Sequence, residues 1–103
     1  MKIIYNNIIP FKGFLAINIC GILFVREEYK SALDDEAINH ERIHTAQMKE
    51  LLYVGFYLLY VLEWFVRLFM KGNAYRNIRF EREAYEHEND LSYLDNRKPY
   101  SWK

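Results

Sequence analysis

Asp34-Asp35-Glu36-Ala37-Ile38-Asn39-His40-Glu41-Arg42-Ile43-His44 is the stretch that decides how this chain reads. Ser31-Ala32-Leu33-Asp34 has the form of a capping box with Asp in place of Glu, and the acidic run that follows puts negative charge where a helix N-terminus favours it. A helix is therefore expected to begin near Asp35 and to continue to about Glu50, with neither Pro nor Gly to interrupt it.

On its N-terminal side the residue types change. From Met1 to Arg26 the apolar residues are Ile, Val, Phe and Tyr, punctuated by Asn6-Asn7, Pro10, Gly13 and Gly21, which mark turns. The spacing predicts a small antiparallel sheet over residues 1–30. Its strands are expected at Lys2–Tyr5, Phe14–Asn18 and Ile22–Arg26, the last two joined as a hairpin around Cys20-Gly21. Pro10 falls between strands, where its missing N–H costs nothing.

On the C-terminal side, Leu51–Met70 continues in strong helix formers until Gly72-Asn73 offers a stop, with Gly55 marking the junction to the preceding helix. The stretch is long and apolar enough to raise the question of a membrane span, for which about 20 apolar residues suffice. Glu63 and Arg67 argue for a packed helix instead: they can pair four residues apart, while Leu59, Leu62, Phe65, Val66 and Phe69 line another face expected to lie in a core. A further helix is expected from Asn77 as N-cap, through Ile78, to about Asn89, with Glu81, Ala84, Tyr85 and Glu88 on one face. Residues 91–103 read as a polar tail with aromatic anchors. The whole is an α+β chain of one domain, 1–103, with its helical part at 31–90.

The 103 residues carry 14 basic and 14 acidic side chains, interleaved, so there is no basic excess of the kind nucleic acid requires. Cys20 is the sole cysteine, which rules out an intrachain disulfide, and its apolar neighbours suggest a buried, inert thiol. The apolar stretch Phe14–Val25 is broken by Asn18 and lacks a small-residue cleavage site, so no signal peptide is expected and the expected location is cytoplasmic.

The chemistry lies in His40-Glu41-Arg42-Ile43-His44. Residues four apart on a helix differ by about 40° around its axis, so His40 and His44 project side by side and can place two imidazole nitrogens on one metal ion. Glu41, one step round, can reach a water on that metal, as a general base must. The bland alternative is a pair of surface histidines on a charged face. What separates the two is a further ligand, because a catalytic zinc usually keeps three protein ligands and one open position. The candidates lie in Phe80-Glu81-Arg82-Glu83-Ala84-Tyr85. If the helix turns its Ala84 side inward, where a small residue permits close approach, Glu81 shares that face. Glu83 instead groups with Glu86, His87 and Asp90 on a face that reads as solvated. Glu81 is the preferred ligand, Glu83 the alternative, and His87 reads as a surface histidine.

Asn39-His40-Glu41-Arg42-Ile43-His44 paired with Phe80-Glu81-Arg82-Glu83-Ala84-Tyr85 resembles the gluzincin metallopeptidases, whose third ligand is a glutamate on a separate helix, commonly inside Glu-x-x-Ala-Asp. In size the chain is similar to the minigluzincins, soluble minimal versions of the catalytic domains of integral-membrane peptidases. The likeness covers the order of sheet, motif helix and glutamate helix, but its specific residues are these two motifs alone. It implies a zinc cofactor held by His40, His44 and Glu81, with Glu41 as the catalytic base, acting on a peptide or protein. Tyr85 departs from the pattern, standing where many gluzincins have an aspartate that orients a ligand histidine.

An extended substrate is expected to pair with an edge strand, either Phe14–Asn18 or Ile22–Arg26. Two rival expectations accompany this one. The tail Asn96–Lys103, anchored by Tyr100 and Trp102, would occupy the cleft of a zinc-binding but latent domain. Alternatively, the chain is a metal-free interaction or membrane-peripheral module whose contact surface is the aromatic helix Tyr53–Phe69.

Overall fold

The computed structural model describes residues 1–103 as an α+β fold. Strands β1 (Lys2–Asn6), β2 (Ala16–Ile19) and β3 (Ile22–Arg26) lead into a 3-10 turn (Glu27–Ala32). Helices α1 (Asp35–Glu50), α2 (Val54–Arg67), α3 (Ala74–Asn77), α4 (Arg79–His87) and α5 (Tyr93–Asn96) follow.

The hairpin forms where expected. Cys20 and Gly21 both take positive φ, 51° and 88°, the backbone a two-residue turn between right-twisted strands requires. Cys20 is thereby exposed rather than buried. The sheet as a whole is mixed, not antiparallel: its order is β1-β3-β2, with β1 parallel and β2 antiparallel to β3. The reason lies in β3, the most apolar strand, whose Leu23 and Val25 are fully buried. It takes the centre, and β1 must join its remaining edge. The segment after β1 crosses the end of β3, where Arg26 Nη1 donates to the Pro10 carbonyl at 2.8 Å and Arg26 N to the Leu15 carbonyl at 3.2 Å.

Helix α1 begins at Asp35 as expected, but its cap is Asp34, which accepts from Ala37 N at 2.8 Å, while Ser31 lies in the 3-10 turn. The junction with α2 is Leu51-Leu52-Tyr53, Leu52 and Tyr53 having positive φ. Gly55 sits just inside α2, where an added Cβ would lie 3.3 Å from that of Leu51. Asn77 is not the cap of the last long helix. Asn73 caps the short α3, accepting from Arg76 N, and α4 starts after the fully buried Ile78.

The helical core is Met48, Phe56, Ile78 and Phe80, with Trp102 packed against it. Helix α2 departs furthest from expectation. Phe56 is its one buried residue, whereas Leu59, Leu62, Phe65, Val66 and Phe69 are exposed. The side turned to the core carries Phe56, Tyr60 and the Glu63–Arg67 pair, bonded at 3.2 Å. No helix is long and apolar enough to cross a membrane.

Candidate metal centre

Helices α1 and α4 pack side by side, and fully buried Ala84 lets them approach. Asn39 ties them, its Nδ2 donating to the carbonyls of Glu88 and Asp90 at 2.9 Å each, where α4 ends. Next to it His40, and one turn on His44, face α4 and meet Glu81. All three are buried.

His40 Nε2 and His44 Nε2 lie 3.1 and 3.0 Å from Glu81 Oε1 and 3.2 Å from each other. The far sides of the rings decide what this means. His40 Nδ1 lies 2.9 Å from Glu88 Oε2, a carboxylate that can only accept. His44 Nδ1 lies 2.8 Å from Gln47 Oε1, and the Gln47 amide is oriented because its Nε2 donates to the Phe80 carbonyl at 3.0 Å and to Glu83 Oε1 at 2.9 Å. Both rings therefore carry their proton on Nδ1 and, when neutral, turn a lone pair inward. Two lone pairs and a carboxylate oxygen thus converge on one point between buried side chains, an arrangement that a cation satisfies.

Without a metal, that cation is a proton. Burial alone would lower the His44 pKa, but the Glu81 carboxylate, with help from Glu41 and Gln47, raises it to about 9. Glu81 is held well below the usual carboxylate range: burial opposes ionisation, yet hydrogen bonds from His40 and His44 outweigh it. Tyr60 donates to Glu81 Oε2 at 2.6 Å, and its phenol is raised far above its ordinary value by burial and by Glu81, so it remains a donor.

The residues fit a metal ion. Tetrahedral zinc with bonds of about 2.0–2.1 Å places neighbouring ligand atoms about 3.3 Å apart, close to the spacing of these three. A buried His40-His44-Glu81 group able to hold a metal ion is thus a property of the structure.

Glu41 joins His44 and Glu81 in the wall of a cleft of about 390 Å³, with Met48, Phe56, Tyr57, Tyr60 and Tyr75 across from strand β2. Burial raises the Glu41 carboxyl above its usual range, against the pull of the two histidines. Asn18 sets β2 against α1, donating to the Glu41 carbonyl and to Thr45 Oγ1 at 3.0 Å each. Strand β2 is the sheet edge beside the cleft, whereas β3 is paired on both sides and has no edge to offer. The Tyr57 hydroxyl donates to the Asn18 carbonyl at 3.1 Å and accepts from Cys20 N at 2.9 Å, closing one end of that edge.

Glu83 is not on a solvated face. It is buried and accepts from Gln47, Tyr93 and Arg97, the Arg97 Nε contact being 2.5 Å. His87 lies apart from the centre, stacked on Tyr93 at 3.9 Å. The tail does not occupy the cleft. Tyr100 N bonds Glu50, and Trp102 packs on Phe80 at 4.9 Å between ring centroids, on the Glu83 side of α4.

Tyr85 meets the His40 ring edge-on at 4.6 Å. The orienting carboxylate comes from Glu88, two turns beyond Glu81 on the same face. That role was missed from the sequence, although the shared face was legible there. Gln47, three residues after His44, was equally within reach of helical spacing, whereas Tyr60 had no local signal. A comparison with family models, curated proteins and solved structures finds no significant match for the chain.

Proposed function

We propose that the chain is a zinc-dependent metallopeptidase. The observation that carries this reading is the convergence of the His40, His44 and Glu81 ligand atoms, with a raised carboxyl, Glu41, in the wall of the adjoining cleft. Two imidazoles and one carboxylate suit zinc, which held there supplies a Lewis acid and lowers the pKa of a water in the open position.

The chain's own residues divide the remaining work. Glu41 takes the proton of the attacking water and returns it to the departing amine, a task for which a raised pKa is suited. Glu88 and Gln47 hold the imidazoles in the tautomer that leaves Nε2 free. An extended peptide pairs with the free edge of β2, where Ala16 presents its backbone outward by strand alternation with Asn18.

Zinc content measured on the wild type beside Glu81→Ala and Glu83→Ala, together with peptide hydrolysis by Glu41→Gln, tests the reading. About one zinc per chain is expected in the wild type and in Glu83→Ala, and none in Glu81→Ala. Glu41→Gln should keep its zinc and lose activity by about 10²-fold or more. Metal lost from the Glu83 variant alone, or absent from the wild type, overturns the assignment.

A further inference from the structure

Helix α2 presents an unusual surface. At 100° per residue, its fourteen residues divide into two groups. Phe56, Tyr60, Glu63 and Arg67 fall together on the inner side, where they meet the core, Glu81 and each other. The other ten span about 220° of the circumference, from Trp64 round to Leu59. None of the ten is charged, and the one hydroxyl among them, that of Tyr57, is turned to β2 at the margin. The centre of the arc is open: Leu58, Val61 and Phe65 are 67%, 61% and 54% exposed.

A helix lying against one protein partner usually buries a stripe little more than about 100° wide. An arc twice that width suits a medium that closes around the helix, as hydrocarbon chains do. Spanning is excluded by length, since fourteen residues rise about 21 Å and a bilayer core is about 30 Å thick. The flank supplies the charge that an interfacial helix uses. Lys71, Arg76, Arg79 and Arg82 are all exposed in the segment 71–82 that follows α2, and the one acid of that segment, Glu81, is buried, while Glu63, the helix's sole acid, is neutralised by Arg67 and lies 3.8 Å from Arg79.

We infer that α2 seats on the surface of a lipid bilayer containing anionic headgroups, its Leu58-Val61-Phe65 face in the acyl boundary and the exposed cations of the segment 71–82 drawn to the headgroups. The cleft opens along one margin of that face, at Tyr57, which borders both, with Tyr60 further in. On the peptidase reading above, the substrate is then a segment of protein at or just above the membrane surface. The seat itself does not depend on that reading.

Cosedimentation of the whole chain with vesicles tests it, using phosphatidylcholine alone and phosphatidylcholine mixed with phosphatidylglycerol. Binding is expected to both, at least about tenfold tighter with the anionic lipid, and reduced by salt. It should be unchanged in Glu81→Ala, which separates the seat from the metal centre. Brominated lipid should quench the fluorescence of the wild type but not of Trp64→Phe, since Trp102, the other tryptophan, packs on Phe80. Val61→Glu with Phe65→Glu should lower binding at least about tenfold with unaltered melting. No binding to either vesicle overturns the inference. So does quenching that persists in Trp64→Phe, or a stable dimer in solution that Phe65→Glu dissociates, which would show the face to be covered by a second copy.

Discussion

His40 Nδ1 and Glu88 Oε2 are hydrogen-bonded at 2.9 Å, so the carboxylate that orients the first histidine of the motif comes from the C-terminal end of the helix that also supplies Glu81. One helix thus supplies both a member of the buried His40-His44-Glu81 group and the acceptor that fixes the His40 tautomer. Partners of this kind raise the basicity of a ligand imidazole and limit its rotation. Glu88→Ala should weaken metal affinity about 10- to 100-fold while leaving the melting temperature of the metal-free chain nearly unchanged, because the Glu88 side chain is 30% exposed. Competition against a chelator of known affinity measures it, and an unaltered affinity would make Glu88 a bystander.

Metal binding should be linked to protons with a definite sign. In the metal-free protein the His44 pKa is raised to about 9 from an ordinary value of 6.5. That protonation stabilises the metal-free fold fully below about pH 6.5 and is lost as pH rises through about 9. A metal must displace the same proton. The stabilisation gained by adding zinc should therefore grow with pH across this interval, while the metal-free melting temperature falls. Melting curves with zinc and with chelator at several pH values decide the matter; a zinc effect that shrinks with rising pH contradicts it.

The Glu83–Arg97 pair is buried on both sides, at 2% and 6% side-chain exposure, and Arg97 also meets Glu50 at 2.8 Å. Glu83→Ala would strand Arg97, and should cost about 3 kcal/mol in denaturant unfolding without abolishing metal binding. The double change Glu83→Ala with Arg97→Ala should cost less than the sum of the two, as coupled partners do. Additive costs would show that the two side chains act independently.

Shortening the chain to end at Leu94 removes Arg97 and Trp102. Since Trp102 packs on Phe80 and lies outside the cleft wall, the shortened chain should be less stable, with no gain in peptide hydrolysis per folded molecule. Trp102→Ala alone should cost about 2 kcal/mol, less than a fully buried aromatic, because Trp102 is half-buried. Higher activity in the shortened chain would mean that the tail does obstruct the site.

Much of the site was legible in local pattern. Capping and acidic charge placed the start of α1, helical spacing put His40 and His44 together with Glu41 one step round, and Ala84 indicated which side of α4 faces inward. The fate of Glu83 was not legible, because solvation and burial look alike on a charged helix until Gln47, Tyr93 and Arg97 arrive from other parts of the chain. The direction of β1 was equally hidden. Strand periodicity tells which residues alternate, whereas the choice of partner depends on which strand the whole fold places at the centre.

Local rules act within a turn or two of helix or a single hairpin, and the sequence alone therefore determined α1 with its motif, the Cys20-Gly21 turn, the inward side of α4 and the Glu63–Arg67 pair. Tertiary packing decided the rest. It closed the acceptor cluster of His40, His44 and Glu81 across forty residues, supplied Tyr60 from a helix with no motif, and left one side of α2 uncovered. Those outcomes depend on long-range burial, whose free energy is gained only when distant segments exclude water together.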